Sequence, residues 1–156
     1  MKPLSETQER TWMVIRVVAA AVGIVAPAFF FAIAALVHPD SSPLGENGAG
    51  AIDVAFYLLL ILGIVDPLLA LLIERPLLAD WRRRPGRRTA DRMFFHLAVL
   101  RMAFVEATFL YGFVVYLLTW DLMRMLIFYL VGLVWLGLYW PRREKYEQFI
   151  EGAERL

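Results

Sequence analysis

The sequence predicts an all-α integral membrane protein, a four-helix bundle with both termini in the cytoplasm. Composition gives the first indication, because 60% of the 156 residues are hydrophobic, whereas a soluble domain is roughly half apolar. The mean hydropathy is +0.60. Second, the hydrophobic residues are gathered into four long runs instead of being spread along the chain. Third, nearly all the basic residues fall on one side of these runs.

Each apolar run is long enough to cross a membrane as a helix, which needs about 20 residues for a hydrocarbon core about 30 Å thick. Strands are excluded, because lipid offers no partner to open backbone groups and the runs lack period-2 alternation. We predict a single membrane domain over residues 1–156, with helices over about 12–37, 52–73, 93–118 and 122–140, a cytoplasmic loop over 74–92 and a cytoplasmic C-terminal tail over 141–156.

Charge placement predicts the orientation, because cytoplasmic loops of membrane proteins are enriched in Lys and Arg. Fourteen of the 16 basic residues lie before or just inside the first run, between the second and third, or after the fourth. The connection from His38 to Ala51 contains neither Lys nor Arg. We therefore expect both termini on the cytoplasmic side, with the bacterial inner membrane as the expected location.

Local signals predict where the helices begin. Ser5 and Gln8 have capping-box spacing, so the first helix should begin near Glu6. Thr89 and Asp121 are expected to cap the third and fourth helices.

Within the first two runs, two prolines should distort their helices because each removes a backbone donor: Pro27 and Pro67.

The C-terminal tail is expected to form an amphipathic helix. Tyr146, Phe149 and Ile150 fall on one helical face among alternating charges. This face could dock onto a partner or the membrane surface, or it could lightly anchor a solvated terminal helix. We slightly favour the second interpretation.

One carboxyl group falls in the middle of the third run. Glu106 lies 14 residues beyond Arg92 and 13 before Thr119, which places it near the bilayer midplane. No basic residue of the other runs lies at that depth, so we expect a largely protonated side chain, because desolvation disfavours the charged form. Such a carboxyl could carry protons, or it could hold helices together by hydrogen bonds. The position alone favours neither role.

A second pair of charges predicts a structural contact between helices. Asp66 lies eight residues before Glu74 on a helix that runs inward, and Arg101 lies nine residues after Arg92 on a helix that runs outward. At 1.5 Å per residue, their depths below the inner surface are roughly 12 and 14 Å. We therefore predict an ion pair between Asp66 and Arg101 that joins the second and third helices.

His96 is the candidate cofactor ligand, as a single axial ligand of a haem, although an isolated membrane histidine more often makes an interfacial hydrogen bond. It cannot share one haem with His38, which is predicted at the opposite membrane face. The chain has no cysteine, and no glycine-rich phosphate loop, nucleophile triad or metal-spaced cluster appears in it. We otherwise expect no enzyme activity, catalytic residue, metal or cofactor.

The loop between the second and third runs is rich in arginine. It could bind anionic lipid headgroups or a soluble acidic partner, or it could serve only to fix the topology. The candidate headgroup ligands are Arg82, Arg83, Arg84, Arg87 and Arg88.

The sequence around Glu106 has a recognisable pattern. Residues 103–115 read AFVEATFLYGFVV, so Glu106 is followed directly by Ala107, and then by Tyr111-Gly112, an apolar residue and two valines. This stretch resembles the second helix of the c subunit of F-type ATP synthases, in which an ion-carrying Glu has the same neighbours. Arg84 and the proline after it resemble the family's basic turn.

The resemblance covers about a third of the chain and implies that Glu106 carries an ion. Ala107, in place of a hydroxyl residue, implies a proton and not sodium. The preceding helix differs from that family, since it has Phe56, Tyr57 and a single Gly63 where the family has a glycine repeat.

The sequence supports two functions about equally. The first is a small non-catalytic subunit, structural or accessory, of a larger membrane complex such as a respiratory or photosynthetic one. The second is a c-subunit-like proton carrier that uses Glu106. An enzyme with an intramembrane active site has no support beyond scattered polar residues. The expected partners are the lipid bilayer and other membrane subunits, in a homo- or hetero-oligomer, and no nucleic acid.

Overall fold

The computed structural model describes residues 4–37, 49–83 and 89–154, and these are helical apart from short connections. No strand occurs among them. Four of the helices are long and apolar enough to cross a membrane, so the expectation of an all-helical chain with four candidate spans is confirmed. The helices are α1 (Glu6–Leu36), α2 (Ala49–Arg83), α3 (Ala90–Thr119), α4 (Leu122–Tyr139) and α5 (Arg143–Glu154).

α2 is longer than the sequence predicts. It continues through Pro76 to Arg83, so residues 74–83 of the predicted loop are helical. The apolar run ends at Glu74 because the charges begin there, but a helix need not end where its hydrophobic stretch does. The extension also has a packing partner, since Trp81 stacks on Phe149 of α5 with ring centroids 5.5 Å apart.

The predicted distortion of α1 takes the form of a π-helical turn over Ala21–Val25. The N–H of Ala26 donates to the carbonyl of Ala21, five residues earlier. Pro27 follows at once, and in a regular helix its ring would clash with the carbonyl of Gly23. The wider π turn is a geometry that can relieve this clash.

Two of the three predicted helix caps are confirmed, and the third holds in position only. Ser5 and Gln8 form a complete capping box, and the helix begins at Glu6. The side chain of Asp121 accepts from the N–H groups of Met123 and Arg124. Thr89 occupies the N-cap position of α3, but its side chain makes no capping hydrogen bond.

α3 is the central helix, and all the others pack against it. Its tightest contact is with α4, where two glycines admit two phenylalanines. A Cβ on Gly112 would lie 2.7 Å from the Cβ of Phe128, and one on Gly132 would lie 2.7 Å from the ring of Phe109. Small residues let apolar helices approach closely, and the large side chains fill the space.

α5 folds back onto the end of the bundle that carries the start of α1, the end of α2 and the start of α3, which we call the basic end. Tyr146 is fully buried, stacks on Trp12 with centroids 5.5 Å apart, and donates to Asp91 at 2.9 Å. Ile150 is buried and Phe149 half-buried on the same face. The shared face is therefore confirmed, and it anchors α5 firmly on the chain itself.

Candidate functional site

The ionisable side chains inside the candidate spans are the candidate functional groups, and Glu106 lies near the middle of α3. It lies 16 residues after the start of α3 at Ala90 and 13 before its end at Thr119. The side chain is half-buried. Among the residues that the structure describes, it has neither a hydrogen-bond partner nor an ion-pair partner. Glu106 is thus a mid-span carboxyl without a polar contact in the described chain.

One side of α3 around Glu106 faces away from the bundle, whereas the other side, with Met102 and Phe109, is buried. Val99, Ala103, Leu110 and Val114 are all exposed, and they recur at helical spacing on the same side of α3. Glu106 lies at the edge of this outward stripe, on the side nearer α1. A second subunit or lipid would therefore meet the stripe before any helix of this chain does.

The height of Glu106 coincides with the π turn of α1. α1 and α3 run parallel, since Phe30 stacks on Phe113 at 5.2 Å and the hydroxyl of Tyr116 donates to the carbonyl of Ala34 at 2.6 Å. The same register places Glu106 level with Gly23 in the π turn. Such turns occur frequently at functional sites.

Arg101 pairs with Glu74, so the predicted ion pair with Asp66 is wrong. The guanidinium donates from Nε and Nη2 to the two carboxylate oxygens at 2.6 and 2.7 Å, which is a bidentate contact. The guanidinium also lies 5.7 Å from the ring centroid of Tyr139. Glu74 is only 5% exposed, so this is a pair within the core of the bundle.

Asp66 has a different partner, because the register of α2 against α3 differs from the predicted one. Tyr111 donates to Asp66 at 2.5 Å. Tyr111 lies ten residues beyond Arg101, roughly 15 Å along the helix at 1.5 Å per residue. The prediction of equal depth takes Glu74 as the end of the helix. Since α2 continues to Arg83, the facing positions shift and Glu74 comes opposite Arg101.

A hydroxyl group compensates for Pro67 in α2. Pro67 has no N–H, so the carbonyl of Gly63, four residues earlier, lacks its helical donor. Thr108 of α3 is fully buried and donates to this carbonyl at 3.0 Å. The hydroxyl of Tyr139 donates to the carbonyl of Pro67 itself at 2.6 Å. Sequence reasoning missed both contacts, although a proline four residues after Gly63 signals a carbonyl in need of a donor.

The opposite end of the bundle carries its own cation. Arg124 forms ion pairs with Asp53 at 2.7 Å and with Asp121 at 3.2 Å. Its guanidinium lies 5.4 Å from the ring centroid of Phe56. Arg124 therefore has acidic partners within the chain and does not require a ligand.

Of the remaining predicted site residues, those that the structure describes lie at the basic end. His96 is exposed, and its Nδ1 is within hydrogen-bond distance of the carbonyl of Arg92 in its own helix. No group of three side chains suited to a metal ion occurs among the described residues. Arg82 and Arg83 are exposed at the end of α2. Three headgroup candidates and the second histidine lie outside the described residues: Arg84, Arg87, Arg88 and His38.

Electrostatics at the basic end reinforce the docking of α5. Burial, and then the hydrogen bond to Asp91, raise the pKa of Tyr146 well above its usual value. Arg143 bonds to Glu147 and Glu9, and the bond to Glu147 is the largest cause of its raised pKa. The phenol thus stays neutral and the guanidinium charged at any physiological pH.

No protein-family model, curated protein or solved structure matches the chain. The site is therefore interpreted from its own geometry.

Proposed function

We propose that the chain is a non-catalytic subunit of a larger membrane complex, and that the α3 face around Glu106 meets a partner subunit. The observation that carries this proposal is a contrast. Glu74, Asp66 and Arg124 each have a polar partner in the chain, whereas Glu106 has none among the described residues.

An unpartnered carboxyl in a span has an energetic cost. A charged Asp at the centre of a membrane helix costs about 2.5–3.5 kcal/mol on insertion scales, and a neutral carboxyl still carries polar atoms that lipid cannot satisfy. A donor on a neighbouring subunit offsets that cost. Ala103 and Ala107 flank Glu106 four residues apart, and such small residues let a second helix approach closely.

The membrane orientation belongs to the same proposal. The basic end, which carries Arg82, Arg83, Arg142 and Arg143, faces the cytoplasm by the positive-inside rule. The bacterial inner membrane is the proposed location, with both termini inside.

A second candidate function is that of a proton carrier, and the same carboxyl supports it. Such a carrier requires a carboxyl group within the membrane that can exchange a proton. The position of Glu106 beside the π turn and the resemblance of residues 103–115 to the ATP synthase c subunit both favour it. Under this alternative, Glu106 gives and takes the proton, and copies of the chain form the assembly.

Gentle detergent extraction, followed by mass determination of the intact assembly, tests both functions. The subunit proposal expects a heteromeric complex that Glu106→Leu dissociates and that Glu106→Gln preserves, because glutamine keeps a hydrogen-bonding group. Asp66→Asn is the matched control, since that carboxyl is partnered by Tyr111, and it should leave the complex intact.

The other outcomes decide against the subunit proposal. A lone monomer from wild type and from every variant would overturn it. A homomeric ring would favour the carrier, in particular if Glu106 reacts with a carboxyl-directed carbodiimide and Glu106→Gln abolishes ion movement without loss of assembly.

A further inference from the structure

A small cavity opens at the basic end, between α2, α3 and α5. Its volume is about 190 Å³. Phe94, Leu97 and Phe149 form apolar walls, Arg101 lies on the span side, and Lys145 comes from the first turn of α5. The cavity thus combines aromatic walls with two cationic side chains.

Arg101 keeps donors available for a ligand. Its Nε and Nη2 bind Glu74, and a guanidinium has five N–H groups in all. The two N–H groups of Nη1 make no hydrogen bond to the described residues. Arg101 lines the cavity, so the donors that Glu74 does not use belong to a side chain of the cavity wall.

The charges around the cavity do not cancel. Glu74 neutralises Arg101 in the bidentate pair. Lys145 is exposed and has no polar partner among the described residues. No acidic side chain lines the cavity, so one positive charge is left uncompensated. The site is therefore complementary to a single anion.

We propose that this cavity binds the phosphate group of an anionic phospholipid. Basic pockets between membrane helices, at the level of the headgroups, are a common way of binding such lipids. The volume suits a phosphate with part of its glycerol and is too small for an acyl chain, so the chains remain in the bilayer. The lipid phosphate bonds to Nη1 of Arg101 and pairs with Lys145, while the aromatic walls exclude water.

The position of the cavity favours a lipid over a free ion. It lies where the spans meet α5, and its neighbour Leu77 on α2 is an exposed apolar residue. An acyl chain can follow such a surface while the phosphate occupies the cavity. A soluble phosphate would gain nothing from that apolar surface.

Native mass spectrometry of the delipidated full-length protein tests the proposal. The protein is titrated with phosphatidylglycerol and, separately, with phosphatidylcholine, which has the same phosphate but no net charge. We expect one phosphatidylglycerol to bind at least tenfold more tightly than phosphatidylcholine. Lys145→Glu should weaken that binding at least tenfold, and Arg142→Glu, an equal charge change at an exposed residue outside the cavity, should not.

A second variant tests whether binding requires the space of the cavity as well as its two cations. Ala98 lines the cavity, and Ala98→Phe should fill it and abolish binding while leaving both cations in place. Equal binding of the two lipids, or equal effects of Lys145→Glu and Arg142→Glu, would overturn the proposal. Complete displacement of the lipid by millimolar inorganic phosphate would also overturn it, since the ligand would then be the free anion. None of these results depends on whether a partner subunit binds at Glu106.

Discussion

The ion pair between Glu74 and Arg101 gives a sharp test of how the second and third spans fit together. Glu74→Gln removes one charge and leaves the guanidinium without its carboxylate. The Glu74 side chain is 6% exposed and that of Arg101 is 27% exposed. Removing one partner of a buried pair costs about 3–5 kcal/mol, and the partial exposure of Arg101 places the expected cost near the lower limit. At roughly 2–4 °C per kcal/mol for a chain of this size, Tm should fall by about 6–12 °C.

Thermal unfolding in a mild detergent measures this effect, and a double-mutant cycle assigns it to the pair. Arg101→Met alone and the double variant Glu74→Gln/Arg101→Met complete the cycle. The double variant should be more stable than the two single effects predict, by about 2 kcal/mol, because coupling is expected only between residues in contact. A parallel cycle with Asp66→Asn and Arg101→Met should show coupling near zero. Equal coupling in the two cycles would refute the register described here.

Two further predictions concern packing and pH. Gly112→Ala should destabilise the protein by about 1–3 kcal/mol, because the new Cβ would lie 2.7 Å from Phe128. Gly137→Ala, which meets nothing within 4 Å, should instead stabilise it by up to about 1 kcal/mol; equal effects on Tm would contradict this. The raised pKa of Tyr146 means that its neutral phenol stabilises α5 docking fully below pH about 10, and that this contribution is lost as pH rises through the folded-state pKa. Tryptophan fluorescence against pH should therefore change only above about pH 10, and Tyr146→Phe should remove that change; a transition near neutral pH would contradict the assignment.

The sequence was sufficient for features that depend on a few neighbouring residues. A capping box needs only Ser5 and Gln8, and a helical face needs only the spacing of Tyr146, Phe149 and Ile150. Four apolar runs were likewise enough to predict four candidate spans. In each case the physical cause lies within one continuous stretch of the chain, so the spacing or composition of that stretch is enough to predict the feature.

The pairing of Arg101 could not be predicted in this way. The end of a hydrophobic run does not mark the end of α2, and the register is set by side-chain packing between two helices. Thr108 must reach the carbonyl of Gly63, and that contact brings Glu74, not Asp66, opposite Arg101. A sequence pattern gives the position of a residue along its own helix, whereas the partner of that residue depends on the register of the second helix against the first.

The same contacts explain why Glu106 stands apart from the other polar groups. The carbonyl left free by Pro67 has Thr108, Asp66 has Tyr111, and Arg101 has Glu74. Each of these polar groups therefore has a hydrogen-bonding partner on the facing helix. Glu106 is half-buried at the edge of the outward stripe on α3, and it has no polar partner among the described residues. Under the subunit proposal its donor comes from a second subunit, and under the carrier alternative the carboxyl exchanges a proton.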